Sequence, residues 1–250
     1  MNFNLHLALQ CAEKIRALYA GELAPNIVAK STDTQVLVEK MVDGRFLIVF
    51  PGTASARDWR TDLQVHRVPW DAQKDSGNPF APDGMKVHSG FKAAHDSIYA
   101  GLEEMIAPGR SVVIAGHSLG GALATLCAHA LHGLVNVTDV ITFGSPRVGN
   151  ARFVGEYEST LGARTARIVN AHDPVPHVPL LFGLYRHVPT QVWLGPDFEL
   201  RIAEPLRVAV TEWAETITTL RTAPASELRL ASAHHIEAYL GKLKGISRLA

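Results

Sequence analysis

A serine at position 118 stands between two glycines in the stretch Gly116-His117-Ser118-Leu119-Gly120. The run before it, 111–115, is almost entirely apolar, which is typical of a parallel strand covered on both faces, and the small residues after it favour a helix. A sharp turn between such a strand and helix strains its central residue and needs small neighbours two positions away. The pattern predicts a nucleophile elbow that presents the Ser118 hydroxyl to an acyl carbon.

A serine hydroxyl becomes a nucleophile when a base takes its proton and a third group orients that base. Hydrolases with such an elbow carry these groups in the chain order Ser, Asp or Glu, His. Asp173 follows a predicted strand at 165–170, and therefore lies at the sheet edge where open α/β sheets bind ligands. His234 and His235 both fit the order, and spacing alone does not choose between them. The alternatives are a solvated loop aspartate and histidines that only flank a helix.

Stabilisation of the oxyanion is the third requirement of acyl transfer. The tetrahedral intermediate carries negative charge on the former carbonyl oxygen, which fixed N–H donors stabilise. In an elbow of this kind the residue after the nucleophile supplies one N–H group, so Leu119 is predicted as a donor.

The elements that must position these residues are predicted from apolar patterning. Asp43-Gly44 between apolar runs at 35–42 and 45–50 indicates a two-residue hairpin. From residue 90 onwards strands and helices alternate, which favours right-handed crossovers and a parallel sheet. The predicted strands are 111–116, 137–143, 165–170, 185–194 and 198–202, and the predicted helices are about 91–106, 119–132, 150–160, 205–220 and 234–244. We expect one α/β domain over 1–250, a mostly parallel sheet with helices on both faces.

Composition excludes several classes of protein. Lys and Arg equal Asp and Glu at 24 each, so no overall charge favours nucleic acid. Cys11 and Cys127 lie in apolar helical patterns and are predicted as buried thiols rather than a disulfide. The N-terminal region has no basic stretch followed by an apolar one, and no run is long enough to span a membrane. We therefore expect a cytoplasmic protein or one exported by a signal-independent route.

Seven ordered blocks of this sequence resemble the class 3 lipases, the fungal-type triacylglycerol lipase family of the α/β-hydrolase superfamily. The resemblance covers about residues 30 to 240. The blocks are Val49-Phe50-Pro51-Gly52-Thr53, Asp58 to Leu63, Val87 to Phe91, Gly116 to Gly121, Phe143 to Asn150, Asp173 to Pro176, and His234 to Tyr239. In that family the catalytic histidine commonly stands five positions before a tyrosine, which selects His234. The resemblance also implies that Thr53 supplies an oxyanion donor.

A segment at about 54–70 corresponds in that family to the lid over the acyl site. Its large apolar residues are candidates for lining the lid or the acyl site: Trp59, Leu63, Val65, Val68 and Trp70. The alternative is a fixed helix packed on the core. The following stretch at about 69–87 is rich in Pro and Gly and is predicted as a surface excursion.

The predicted function is hydrolysis of carboxylic esters through an acyl-enzyme on Ser118, with a triacylglycerol lipase or esterase as the main expectation. Phospholipase A1 or feruloyl-esterase-like specificity and a hydrolase-fold binding protein are the alternatives. The expected partners are an acyl ester or lipid substrate and a transient lipid interface, with no nucleic acid and no stable protein partner. No cofactor is expected. His129 with His132, and His172 with His177, lack further ligands at metal-site spacing, so no metal is expected.

Overall fold

In the computed structural model, the residues described are 3–52, 66–70, 84–179, 184–203 and 232–249. They include ten strands, five α-helices and two short 3₁₀ helices, Gly162–Arg164 and Val175–His177. In chain order the strands and α-helices are α1 (Leu5–Tyr19), β1 (Ile27–Ala29), β2 (Thr34–Lys40), β3 (Phe46–Phe50), β4 (Arg67–Pro69), β5 (Lys86–His88), α2 (Ser89–Met105), β6 (Ser111–His117), α3 (Leu119–Leu131), β7 (Asn136–Phe143), α4 (Ala151–Leu161), β8 (Thr165–Asn170), β9 (Gln191–Leu194), β10 (Leu200–Ala203) and α5 (Ile236–Leu249). The helix predicted at 205–220 lies outside the described residues.

Eight strands form a central sheet in the order β1-β2-β3-β6-β7-β8-β9-β10. The five strands from β3 to β9 run parallel, while β1, β2 and β10 pair antiparallel at the two edges. A parallel sheet is stable when both of its faces are covered, and accordingly every residue of β8 is buried. The prediction of a mostly parallel α/β sheet is confirmed.

Helices cover both faces of this sheet and bury two apolar cores. On one face, α2, α3 and α4 pack with the small antiparallel sheet formed by β4 and β5. On the other face, α1 and α5 pack against the strands and against each other. Cys11 lies in the second core and Cys127 in the first; both are buried free thiols, as predicted.

Three details differ from the prediction. The connection between β2 and β3 has five residues, 41–45, rather than two; within it the Gly44 N–H donates to the Met41 carbonyl and Gly44 adopts a left-handed φ of 89°. The strand predicted at 185–194 begins only at Gln191. Pro189 cannot donate to a strand ladder, and Thr190 has a positive φ of 67°. The short strands β1, β4 and β5 were not predicted.

Among the described residues, no helix combines the length and apolar character needed to cross a membrane.

Candidate active site

Ser118 occupies the sharp turn between β6 and α3. Its backbone has φ 58° and ψ −127°, a conformation that strains a residue with a side chain, and its side chain is almost buried. A Cβ on Gly116 would collide with the Gly120 carbonyl oxygen, and a Cβ on Gly120 would collide with the Phe50 carbonyl oxygen. The two glycines are therefore required because strand, helix and β3 approach closely here. The predicted strand-turn-helix context of Ser118 is confirmed.

Asp173 lies in the turn after β8, at the same sheet edge as Ser118. The strands β6, β7 and β8 are adjacent and parallel, so their carboxyl ends meet there. The Asp173 side chain is only 1% exposed. Its Oδ1 accepts from the Val175 N–H at 2.8 Å, and its Oδ2 accepts from His234 Nδ1–H at 2.9 Å and from the Tyr239 hydroxyl at 2.5 Å. Three donors compensate the carboxylate for the loss of water.

His234 precedes α5 and is 7% exposed. Besides the hydrogen bond to Asp173, its ring stacks on the ring of His117, with centroids 4.6 Å apart. Its backbone carbonyl accepts from His117 Nε2 at 2.7 Å. His235 is exposed to solvent. The structure therefore brings His234, and not His235, to Asp173, in agreement with the choice that the resemblance made.

Gly144 makes room for this pair, a requirement that sequence reasoning missed. It follows β7 directly and has a left-handed φ of 56°. A Cβ at this position would lie 2.7 Å from Asp173 Oδ2 and 2.9 Å from His234 Nδ1. The available signal was a glycine directly after a predicted parallel strand, at the sheet edge that holds Ser118 and Asp173.

Tyr239 was predicted only as a spacing marker for His234. Its hydroxyl lies fully buried beside Asp173 and also accepts from the Asn170 N–H at 3.2 Å. Burial and the Asp173 carboxylate raise the pKa of Tyr239 well above its usual value, so the phenol keeps the proton that it donates. Tyr239 is thus a further contact of the site on the same carboxylate oxygen as His234.

His117, predicted as a packing residue of the elbow, also carries hydrogen bonds. Its Nδ1 accepts from the Tyr19 hydroxyl at 2.9 Å, and its Nε2–H donates to the His234 carbonyl. Tyr19 is the last residue of α1, and its oxygen accepts from the Gly52 N–H at 2.6 Å. Burial, followed by the neighbouring His234, lowers the pKa of His117 well below its usual value. His117 is therefore neutral, with one donor and one acceptor nitrogen.

Only some of the predicted oxyanion and lid residues lie in the part of the chain that the structure describes. Leu119 is the first residue of α3, so its N–H lies at the helix N-terminus. Thr53, Trp59, Leu63 and Val65 lie outside the described residues.

The end of the predicted lid belongs to fixed structure. Val68 is the middle residue of β4 and pairs with Val87 of β5; its place at the acyl site stays a prediction. Trp70 is 4% exposed, donates from Nε1 to His129 Nδ1 at 3.0 Å and contacts the ring of Phe153. Trp70 is therefore a core residue, which corrects its assignment to the lid, because opening it would break this packing.

His129, one of the histidines considered above as a metal ligand, lies buried in the core. Burial lowers the pKa of His129 to about 4, with a smaller contribution from His132. The Glu156 carboxylate lies 3.6 Å from His129 Nε2, but it is half exposed and solvated, so burial dominates. Within the described residues, no three His, Cys, Asp or Glu side chains come together in a group able to hold a metal ion.

A mostly parallel sheet with a strained serine after one strand and a buried Asp–His pair at the same edge defines an α/β-hydrolase. Residues 47–183, more than half of the chain, match the model of the family described as lipase (class 3), and the chain belongs to this family. A solved structure of Rhizomucor miehei triacylglyceride lipase is similar with a TM-score of 0.63 and 25% identity, over 78% of this chain and 80% of that one.

Two curated relatives extend the comparison. The secreted mono- and diacylglycerol lipase 1 of Fusarium solani is 33% identical over 163 residues, which cover 61% of this chain and 46% of the relative. The chloroplastic phospholipase A1-Igamma2 of Arabidopsis thaliana is 32% identical over 167 residues, covering 54% of this chain and 31% of the relative. The matches thus span less than half the length of these relatives.

Proposed function

We propose that this protein is a serine carboxylic ester hydrolase in which Ser118, Asp173 and His234 form the catalytic triad. The observation that carries the proposal is the hydrogen bond from His234 Nδ1–H to the buried Asp173 carboxylate. In the neutral imidazole this bond places the lone pair on Nε2, the form required of a general base. The strained turn at Ser118 and the family membership support the nucleophile.

The proposed reaction proceeds in two halves. His234 Nε2 takes the Ser118 proton while Oγ attacks the acyl carbon, and the resulting imidazolium is stabilised by Asp173. The imidazolium then protonates the leaving alcohol as the tetrahedral intermediate collapses to the acyl-enzyme. In the second half His234 activates a water molecule, which releases the acid and restores the Ser118 hydroxyl. This chemistry uses no cofactor.

Two donors are proposed for the oxyanion. The Leu119 N–H is the first, because the N-terminus of α3 carries unpaired N–H groups and partial positive charge next to Ser118. Thr53 is the second, because it follows Gly52 in the chain and Gly52 packs against the elbow. Removal of one such donor typically costs about 10² to 10³ in rate.

The proposed substrates are acyl esters of lipids, with triacylglycerol lipase or esterase specificity. The named activities of the relatives, a mono- and diacylglycerol lipase and a phospholipase A1, support a lipid ester and keep phospholipase A1 specificity as the second candidate. The eight-stranded sheet shared by the described residues supports a single domain over 1–250.

The test compares the purified protein with its Ser118→Ala variant on p-nitrophenyl butyrate, p-nitrophenyl palmitate, a triacylglycerol and phosphatidylcholine. We expect release of p-nitrophenol by the wild type and a loss of at least about 10³-fold in the variant. Equal release by both proteins would refute the triad. Release of free fatty acid from phosphatidylcholine at a rate above that from triacylglycerol would favour the phospholipase assignment.

A lid over 54–65 predicts interfacial activation. In aqueous solution the large apolar side chains of a closed lid would be buried against the protein. At an oil surface they could be buried against the oil instead. We expect activity on a medium-chain triglyceride to rise disproportionately when the substrate passes its solubility limit. A smooth hyperbolic dependence through that limit would remove the moving lid and leave the hydrolase assignment intact.

A further inference from the structure

A single chain of hydrogen bonds links three separate parts of the site. The Gly52 N–H donates to the Tyr19 oxygen at 2.6 Å, the Tyr19 hydroxyl donates to His117 Nδ1 at 2.9 Å, and His117 Nε2–H donates to the His234 carbonyl at 2.7 Å. The chain therefore connects the backbone just after β3, the residue before Ser118, and the backbone of His234. These three parts are far apart in sequence.

The direction of each bond follows from the chemistry of the groups. A backbone N–H only donates and a backbone carbonyl only accepts, so the two ends of the chain are defined. Because the His234 carbonyl accepts from Nε2, neutral His117 carries its proton on Nε2. Its Nδ1 is then an acceptor, and the Tyr19 hydroxyl donates to it. Burial raises the pKa of Tyr19 and lowers that of His117, so both remain neutral. With these protonation states every bond in the chain is made at once.

The contact at Gly52 is unusually close. A Cβ on Gly52 would lie 2.5 Å from the Tyr19 hydroxyl oxygen and 3.0 Å from both Ser118 Cβ and the His117 carbonyl oxygen. The end of β3 is thus packed directly on the elbow, and Tyr19 holds its N–H from the other side. A shift of this peptide would move the backbone on which the next residue, Thr53, is carried.

The anchor of this chain lies outside the region that matches the family model. Tyr19 is the last residue of α1, whereas the match begins at residue 47. The helix is itself fixed, because Ala8, Cys11, Ala12 and Ile15 are fully or almost fully buried. Helix α1 also packs against α5, which follows His234. Tyr19 therefore offers a fixed reference point for the two backbone segments that it and His117 hold, at Gly52 and at His234.

We propose that Tyr19 and His117 are positioning residues for ester hydrolysis, which together set the Gly52 peptide and the His234 backbone relative to Ser118. The inference builds on the proposed function. Neither side chain donates or takes a proton in the reaction. They act by keeping the reacting groups within the narrow geometry that acyl transfer requires, where a displacement of 1 Å can cost about 10²-fold.

The test is Tyr19→Phe, which removes one oxygen and keeps the ring. The Gly52 N–H loses its acceptor and His117 Nδ1 loses its donor. We expect kcat on p-nitrophenyl butyrate to fall about tenfold, with KM within twofold of the wild type, because the reacting geometry changes while the acyl-binding surface does not. Inhibition by an alkylboronic acid, which forms a tetrahedral adduct on the serine, weakens by the same factor.

Tyr157→Phe is the matched control. Its hydroxyl is also buried and hydrogen-bonded, to Thr165 Oγ1 at 3.0 Å, but it belongs to α4, away from the site. We expect this variant to lower the thermal unfolding midpoint to a similar extent while kcat and boronic acid inhibition stay within twofold of the wild type. The comparison separates a positioning role from a purely structural one.

His117→Phe provides a second, independent variant. It keeps a ring against His234 and removes both hydrogen bonds of His117. Since Tyr19 and His117 share one hydrogen bond but Tyr19 also holds the Gly52 N–H, the double variant with Tyr19→Phe has a kcat below that of His117→Phe alone and above the product of the two single effects. This variant also tests the proposal if Tyr19→Phe does not accumulate as folded protein.

Two results would overturn the proposal. If a folded Tyr19→Phe protein behaves like Tyr157→Phe, losing stability but not kcat, Tyr19 is only structural. If the effects of Tyr19→Phe and His117→Phe multiply in the double variant, the chain does not act as one unit. Both results require an active wild type, so they differ from failure of the proposed function, in which the wild type itself releases no p-nitrophenol.

Discussion

Replacing Asp173 by Asn tests how the buried carboxylate controls His234, because the surroundings dictate how the amide must sit. The Val175 N–H points at the Oδ1 position and can only donate, so the amide oxygen has to lie there. The amide NH₂ group is then placed where Oδ2 was, facing His234 Nδ1. In the productive tautomer, His234 Nδ1–H would face the amide N–H of the new side chain, so that two donors meet. The proton of His234 therefore moves to Nε2.

The size of the effect follows from two losses in the transition state. An amide donor that faces Nδ1–H leaves a buried hydrogen bond unmade, which costs about 2 kcal/mol. The loss of the hydrogen bond to the charged imidazolium costs about 3 kcal/mol more. Together these are about 5 kcal/mol, and about 1.36 kcal/mol corresponds to a factor of ten in rate. We expect kcat to fall between about 10³-fold and 10⁴-fold, with KM changed less than about threefold.

Steady-state hydrolysis of p-nitrophenyl butyrate measures this loss, with the thermal unfolding midpoint as a check on folding. The matched control is Asp139→Asn, which removes the charge of a carboxylate paired with Arg45 at 2.8 Å, remote from the site. We expect the control to keep kcat within twofold of the wild type. A folded Asp173→Asn protein with more than about a tenth of wild-type kcat would refute the role assigned to Asp173.

Three further outcomes follow from the site and its surroundings. His234→Ala abolishes hydrolysis while His235→Ala keeps most of it, in side-by-side assays; the reverse would assign the base to His235. Tyr239→Phe lowers kcat about tenfold and destabilises the fold by about 1 kcal/mol in urea unfolding, because Asp173 loses a donor; an unchanged kcat would make Tyr239 structural only. The pKa of His129 is lowered to about 4, below its usual 6.5, so the unfolded chain binds more protons between these values and stability falls as pH drops through them. Between pH 7 and pH 5 the wild type therefore loses roughly 2 kcal/mol of unfolding free energy through His129, and His129→Gln does not. Equal losses in the two proteins would contradict this expectation.

The sequence predicted the sheet and the elbow well because their signals are local. Apolar runs such as 111–115 have to be buried on both faces, and alternation with helices leaves a parallel sheet as the arrangement that achieves this. The predicted elements match the described ones within a few residues in this part of the chain. The strand predicted at 185–194 is wrong only before Gln191, because Pro189 has no N–H to donate to a ladder.

The supporting residues of the site could not be predicted in the same way. Tyr19 contacts Gly52 and His117, which are 33 and 98 positions away, and Tyr239 contacts Asp173 across 66 positions. No periodic pattern encodes such contacts, because they depend on how α1 and α5 lie on the sheet. For the same reason, periodic patterns could not decide between His234 and His235. One residue of difference turns the side chain from Asp173 towards solvent, which spacing alone does not specify.

The central claim, that Ser118 is a nucleophile activated by His234, is tested most directly by labelling with an alkyl fluorophosphonate. The serine oxygen displaces fluoride and forms a stable phosphonyl ester, which peptide mass spectrometry locates. The account predicts one modification per chain, on Ser118, with parallel loss of ester hydrolysis, no labelling of Ser118→Ala and labelling of His234→Ala slowed by at least about 10²-fold. Labelling of another residue, or complete loss of hydrolysis with Ser118 unmodified, would contradict it.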